Sequence, residues 1–208
     1  LQSNYGSAYR RLITIEKNIF SKNPEARPLF EETLNAMLNQ GIAVVDDDQN
    51  DTSSGFFLPL VLVIRESSAS TRLRICLDAK AKEPVSGFSL NDCIRNHPNN
   101  TKFLPGILIR WRMHRWVMSC DVSKFFLMIL RSPESTKFQK FLYRRGPHEK
   151  MTIFRILRVI FGDKSSPYVS GETIDHLTEL VGENFTAAKL SLQQERYVDD
   201  VLSGRDSE

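Results

Sequence analysis

The sequence predicts an α+β fold built around a mainly antiparallel sheet, and three observations support this class. Segments whose apolar residues recur at helical spacing alternate irregularly with short apolar runs of strand length. Hydrophobic residues make up 41% of the 208 residues and charged residues 25%, which is too apolar for a chain that is disordered throughout. No apolar run reaches the roughly eighteen residues of a membrane-spanning helix, so we expect no membrane partner.

The N-terminal part of the chain is predicted to form a helix and then an acidic loop. Asn23 and Pro24 supply a cap and a first-turn residue for a helix whose apolar residues recur up to Leu38, and Gly41 ends it. The stretch 46–55 contains four aspartates, two serines and a glycine. We expect it to be an exposed loop that binds nothing.

Two extended segments follow, over residues 56–65 and 72–78, and predict a β-hairpin with a polar tip over 66–71. Residues 116–120 are predicted to form a short buried strand that carries Asp121 at its end. Residues around 198–200 are predicted to lie in a last extended pair. The remaining predicted elements are a helical turn over 90–94, a helix over 103–114, strands over 138–143 and 151–160, and a helix over 167–180.

Cysteine and histidine spacing indicates neither a disulfide framework nor a metal site. The three cysteines Cys76, Cys93 and Cys120 are far apart and odd in number, so we expect buried thiols. The four histidines are equally scattered and make no ligand pair.

Basic residues are unevenly distributed, although the formal net charge is only +3. Residues 137–158 contain seven Lys or Arg and one acid, and Arg110, Arg112 and Arg115 surround two tryptophans. Basic residues interleaved with aromatics suit a phosphate backbone and unstacked bases. Solvated helix and strand faces give the same composition, so both interpretations stay open.

The main candidates for chemistry are three aspartates in two separate segments. Asp199 and Asp200 are adjacent in an otherwise apolar stretch, and a tight hairpin there would expose both at its tip. An Asp-Asp pair alone is far more often a solvated turn. Asp121 adds a third carboxylate from another segment, as phosphoryl transfer with two divalent ions about 4 Å apart requires.

A loop rich in glycine and serine lies between these acids, over residues 161–167, and leads into a helix. Such a loop can pass close to a template or an incoming base. A plain strand-to-helix connection explains the same residues.

Taken in order, these segments resemble the reverse transcriptase domain of retroelements, and more narrowly that of BEL/Pao long-terminal-repeat retrotransposons. The resemblance runs through most of the chain. Its motifs are Lys22-Asn23-Pro24, Phe57-Leu58-Pro59, residues 72–79, residues 87–92, Leu104-Pro105, the Asp121 segment, residues 161–167 and Tyr197-Val198-Asp199-Asp200.

The resemblance implies an RNA-directed DNA polymerase with the right-hand fingers and palm, truncated before the thumb. Residues 1–55 would be a helical lead-in and acidic loop, 56–102 the fingers hairpin region, and 103–208 an incomplete palm with some fingers elements. The thumb, ribonuclease H, protease and integrase are expected outside this chain. The expected location is intracellular, in a cytoplasmic virus-like particle, and not secreted.

The resemblance also implies the site residues and partners. Asp121, Asp199 and Asp200 match catalytic acids that hold two Mg²⁺ ions, or Mn²⁺, with the Val122 carbonyl as a further ligand and Asp200 as the weaker contributor. Phe126 matches an aromatic residue that packs under the sugar and excludes ribose; a core Phe is the alternative. The other implied contacts are Arg74, with Arg65 and Arg72 as poorer candidates, Phe161 and Gly162 for the deoxynucleoside triphosphate, and Tyr197, Ser166 and Pro167 for an RNA or DNA template with its primer.

An inactive remnant that retains nucleic-acid binding is the alternative to an enzyme. Residues 60–63, Lys80 and residues 125–128 depart from the family pattern, which favours a divergent or decaying copy. The intact acids favour the enzyme.

Overall fold

The computed structural model describes residues 1–64, 72–181 and 183–206, and it has the α+β class that the sequence predicts. The helices are α1 Tyr5–Ile15, α2 Ala26–Asn39, α3 Leu90–Cys93, α4 Leu104–Met113, α5 Phe125–Met128, α6 Pro133–Thr136, α7 Ser166–Val181 and α8 Thr186–Gln194, with a π-helical segment Glu16–Phe20 after α1. The strands are β1 Ala43–Val45, β2 Leu60–Ile64, β3 Leu73–Leu77, β4 Trp116–Asp121, β5 Lys140–Tyr143, β6 Thr152–Ile156, β7 Arg196–Tyr197 and β8 Asp200–Arg205.

The described strands form three small antiparallel sheets, where the sequence predicts one main sheet. Their orders are β1-β6-β5, β2-β3 and β4-β8-β7. The chain divides into two compact units. One contains Leu1–Arg95 and Leu130–Lys164, with the first two sheets, and the other contains Asn96–Ile129 and Ser165–Glu208, with the third.

The first unit has an aromatic core. Phe57 is fully buried and meets the Tyr5 ring edge-on at 5.2 Å, and Phe30 lies 4.4 Å from the ring of Tyr143. The buried Asn4 side chain donates to the Phe57 carbonyl and accepts from its N–H, both at 2.7 Å. These contacts fix the N-terminal helix against the segment that leads into β2.

The acidic loop is not exposed throughout, so the prediction is wrong for Asp46. This residue is only 6% exposed. Lys140 Nζ lies 3.6 Å and Arg155 Nε 3.9 Å from its Oδ2 atom. Because buried Lys140 needs a counter-charge, the loop supplies one from a distant part of the chain.

The second unit packs α4, α5, α7 and α8 with the sheet β4-β8-β7. The prediction that β4 is buried is wrong, because β4 is an edge strand and all six of its residues are exposed. Trp116, Val117 and Met118 are each at least 50% exposed.

The cysteines also differ from the prediction of buried thiols. Cys93 and Cys120 are exposed, Cys76 is half-buried, and all three are free. Cys120 is accessible because it lies on the open strand β4. Across the described ranges, no helix is long and apolar enough to cross a bilayer.

Candidate active site

The two acidic segments meet in one sheet, as the sequence predicts. Strand β4 pairs antiparallel with β8, and Asp121 lies directly opposite Asp200. One residue further, the Val122 N–H donates to the Asp199 carbonyl at 2.9 Å. Asp121 and Asp200 are therefore a non-hydrogen-bonded pair, in which Cα atoms are typically about 4.5 Å apart and side chains share a face.

A tight hairpin joins β7 to β8, but it does not expose both acids at its tip as the sequence predicts, because Asp199 is half-buried and Asp200 is the first residue of β8. Tyr197 pairs with Asp200, so the loop contains only Val198 and Asp199. Val198 has φ 55°, in the left-handed region where a β-branched residue is an outlier. Glycine is the usual residue at the first position of such a hairpin turn, so this turn has a strained backbone.

The three carboxylates differ in exposure. Asp121 and Asp200 are exposed, and Asp199 is half-buried. Carboxylate oxygens suit a hard divalent cation. The Val122 carbonyl accepts from the Phe125 N–H at 3.2 Å and retains a second lone pair. This donor set fits magnesium in its chemistry.

The carboxylates are not gathered into a metal-binding cluster. Among residues 1–64, 72–181 and 183–206, no three Asp, Glu, His or Cys side chains lie close enough together to hold a metal ion. Like charges repel when they face each other across strands, which favours side-chain conformations that keep the carboxylates apart.

Phe126 lies on a short helix immediately beyond Asp121. Lys124 turns the chain with φ 53°, and α5 begins at Phe125. Phe125 is buried, whereas Phe126 is half-buried and stacks on it with ring centroids 5.9 Å apart. Phe125 is therefore a core residue, whereas Phe126 is only partly covered by its neighbours.

Phe126 lies in the second unit, and the other predicted nucleotide contacts lie in the first. Arg74 is exposed on β3 opposite Val63, and Phe161 is also exposed. Gly162 has φ 91°, and a Cβ added to it would lie 3.7 Å from the Leu77 carbonyl oxygen. The glycine loop thus lies against the end of the strand that carries Arg74. Arg72 is exposed, and Arg65 lies outside the described residues.

Asn91 fixes this loop, and sequence reasoning assigned it no role. Its Nδ2 donates to the Gly162 carbonyl at 2.8 Å, and its Oδ1 accepts from the Lys164 N–H at 2.9 Å. Its own N–H donates to the Ala79 carbonyl at 3.1 Å. The signal in the sequence was Ser89 followed by Asp92, which form a capping box and so place Asn91 in the first turn of α3.

The predicted template contacts lie in the second unit and differ in solvent exposure. Ser166, the first residue of α7, is buried, Pro167 is exposed, and Tyr197 is half-buried beside Asp200. The loop over 161–167 crosses from the first unit to the second after Lys164.

The basic segment 137–158 is partly neutralised within the first unit. Arg144 makes a bidentate pair with Glu16 at 2.8 and 2.9 Å, Lys140 pairs with Asp46, and Arg155 Nη2 lies 3.1 Å from Asp47 Oδ2. The hydrogen bonds to Glu16 raise the pKa of Arg144. Arg145 and Lys150 are exposed. The segment therefore presents less charge to a nucleic acid than its composition indicates.

The comparisons with known proteins identify a fold. No family model matches the chain, and no curated protein matches it. Among solved structures it is similar to a selenomethionine-labelled CSH mutant of the prototype foamy virus protease-reverse transcriptase, with a TM-score of 0.63 and 20% identity over 89% of this chain and 20% of that chain. It is also similar to the foamy viral protease-reverse transcriptase in complex with dsDNA, with a TM-score of 0.63 and 17% identity over 89% of this chain and 32% of that chain.

The chain has a reverse transcriptase-like fold. It spans about a fifth to a third of the length of these structures. The likeness supports a fold of the retroviral and retroelement reverse transcriptase type.

Proposed function

We propose that the chain is part of an RNA-directed DNA polymerase of a BEL/Pao-type retrotransposon, which transfers deoxynucleotides to the 3′-hydroxyl of a primer on an RNA or DNA template. The observation that supports it is the placement of Asp121 opposite Asp200, beside the hairpin that carries Asp199, within a reverse transcriptase-like fold. The first unit then corresponds to fingers and the second to palm.

Asp121, Asp199 and Asp200 are the residues that would hold two Mg²⁺ ions, with the Val122 carbonyl as a further ligand. When bound, these ions neutralise the charge on the transferring phosphate and lower the pKa of the primer hydroxyl. Manganese suits the same oxygen donors.

The other proposed contacts position the substrates. The exposed Arg74 guanidinium has the planar donor set that suits a triphosphate. The Phe126 ring would lie under the deoxyribose, and a ribose 2′-hydroxyl would collide with it. Phe161 and Gly162 would line the nucleotide pocket, and Tyr197 and Pro167 would contact the template and primer.

Primer extension tests the function. A protein that contains this chain together with the remaining polymerase segments should extend a DNA primer on an RNA template with Mg²⁺ and deoxynucleoside triphosphates. Asp199→Asn should reduce the rate by at least about a thousandfold, since the charge that holds the ions is lost. Asp47→Asn is the control, because this exposed aspartate pairs only with Arg155 among the contacts above.

Two results would contradict the proposal. A folded wild-type protein that binds template-primer without extending it would favour the inactive remnant. Equal rates for Asp199→Asn and wild type would show that the acids serve another purpose.

A further inference from the structure

The side chain of Arg196 is buried beside the β7–β8 hairpin, which carries Asp199 and Asp200. The residue is 4% exposed and belongs to the two-residue strand β7. A buried guanidinium is costly unless its charge is paired and its N–H groups are bonded. Its hydrogen bonds run from Nη1 to Val198 O at 3.1 Å, from Nε to Leu192 O at 3.3 Å, from Nη2 to Gly171 O at 3.5 Å and from Nη2 to Asp175 Oδ1 at 3.1 Å.

These contacts join the hairpin turn to two helices. The carbonyl of Val198 belongs to the turn, the Leu192 carbonyl lies in the last turn of α8, and Asp175 lies in α7. Because the fork of an arginine is rigid and planar, one side chain can hold all three elements in a fixed arrangement.

The base of the hairpin is held by two further basic residues. Lys102 Nζ donates to the Leu192 carbonyl at 3.1 Å and to the Gln193 carbonyl, and Arg110 Nη2 donates to the Gln194 carbonyl at 2.9 Å. The last carbonyls of a helix have no partner within the helix and carry partial negative charge, so cations stabilise them. Burial, and then the charge of Arg196, lower the pKa of Lys102.

Arg196 reaches from this base to the strained residue, because its Nη1 donates to the Val198 carbonyl. Val198 holds a left-handed conformation that a β-branched residue leaves unless its surroundings fix it. Asp199 follows it directly, and its carbonyl accepts from the Val122 N–H. The conformation of Val198 therefore decides where the Asp199 carboxylate projects relative to Asp121.

We infer that Arg196 is a positioning residue whose guanidinium holds the Val198 carbonyl and thereby places Asp199 to bind a divalent cation. The inference rests on the proposed function. It assigns Arg196 no contact with substrate or ion. Its effect passes through the backbone of the turn.

The experiment compares Arg196→Met with Arg110→Met. Both substitutions remove a guanidinium that bonds a carbonyl at the end of α8, but Arg110 does not bond the turn. Two measurements are made on each protein. One is the amide hydrogen exchange of Asp200 and of Val122, whose N–H donates to the Asp199 carbonyl, and the other is the rise in Tm of the 208-residue chain as MgCl₂ is titrated.

We expect Arg196→Met to weaken the apparent Mg²⁺ affinity about tenfold, as loss of a residue that orients a metal ligand commonly does. Exchange at Val122 should become faster, because its N–H donates to the Asp199 carbonyl in the turn that Arg196 holds. In the primer-extension assay the Mg²⁺ concentration for half-maximal rate should rise, while the KM for template-primer stays unchanged. Arg110→Met should leave the apparent Mg²⁺ affinity and the exchange at Val122 as in wild type.

A milder variant keeps the test usable if Arg196→Met does not fold. Asp175→Asn retains an oxygen acceptor for Arg196 and removes only the charge, so we expect the Mg²⁺ affinity to fall by about two- to threefold. The Mg²⁺ affinity of Arg196→Lys should lie between those of wild type and Arg196→Met, because lysine cannot bond several acceptors with a planar fork.

The possible outcomes separate the two proposals. A folded Arg196→Met, or failing that Asp175→Asn, with wild-type Mg²⁺ affinity and wild-type exchange at Val122 would overturn the inference and leave the proposed function intact. Lower stability with unchanged Mg²⁺ affinity would also overturn it. A wild-type protein that does not respond to Mg²⁺ and does not extend primers would overturn both.

Discussion

Asp121 faces Asp200 across the β4–β8 ladder as a non-hydrogen-bonded pair, the arrangement that brings side chains on neighbouring antiparallel strands closest. Both residues are exposed. Like charges directly opposite each other destabilise a sheet. The pair therefore lowers the stability of the free protein, and a bound cation would relieve the repulsion.

The first prediction concerns this repulsion. Asp200→Asn removes one of the two charges, so the free energy of unfolding should rise by about 0.2–1 kcal/mol at neutral pH without divalent ions. Urea denaturation measures the change. Asp206→Asn is the contrasting control, because the Arg115 N–H bonded to Asp206 lowers the pKa of that carboxyl and its negative charge is therefore stabilising. A less stable Asp200→Asn protein would contradict the prediction.

The second prediction concerns the strained turn. A left-handed backbone costs an ordinary residue about 1–2 kcal/mol, and glycine avoids this cost but loses about 0.5–1 kcal/mol of conformational freedom on folding. Val198→Gly should therefore leave the free energy of unfolding unchanged or raise it by up to about 1 kcal/mol. Val117→Gly, in the regular strand β4 of the same sheet, should lower it by about 1 kcal/mol. Equal losses in the two variants would show that Val198 is unstrained.

Local sequence patterns predicted most of the elements, because spacing and turn residues act within a few positions of the chain. Examples are α2 and the helix over 104–113. The short helices α5, α6 and α8 and the strand β1 were missed because their patterns span few residues.

Sequence patterns did not predict the burial of a residue where that burial depends on residues distant along the chain. The burial of Asp46 depends on Lys140, and the exposure of Cys120 depends on β4 lying at a sheet edge. The roles of Asn91 and Arg196 were also out of reach. Both make hydrogen bonds to backbone groups, and the type of residue does not reveal which backbone group it will meet.

The third prediction concerns the two hydrogen bonds of Asn91 to Gly162 and Lys164, which we call the clamp on the glycine loop. Asn91→Ala removes the acceptor of the Lys164 N–H, so exchange at this amide should become about tenfold faster, as expected for the loss of one hydrogen bond. Asn91→Asp keeps that acceptor and should stay near wild type at Lys164, while it loses the donor to Gly162.

Asn23→Ala serves as the control for the clamp, because Asn23 accepts from the Glu25 N–H, away from the loop. It should not alter exchange at Lys164. If the loop contacts the nucleotide as proposed, Asn91→Ala should also raise the KM for deoxynucleoside triphosphates. Unchanged exchange at Lys164 in Asn91→Ala would show that the loop holds its conformation without the clamp.

The fourth prediction separates the two neighbouring rings on α5. Phe126→Ala should open space beside the sugar, so the ratio of ribonucleotide to deoxynucleotide kcat/KM in primer extension should rise by about 10–100-fold. Phe125→Ala removes a buried ring and should instead lower the free energy of unfolding by about 3–5 kcal/mol. An active Phe126→Ala enzyme that still rejects ribonucleotides would show that this ring is not the sugar gate. The two rings stack on each other, so loss of either ring disturbs the same pair. A direct contact with the sugar would make Phe126→Ala alter the discrimination between ribonucleotides and deoxynucleotides, whereas disturbed packing alone would not.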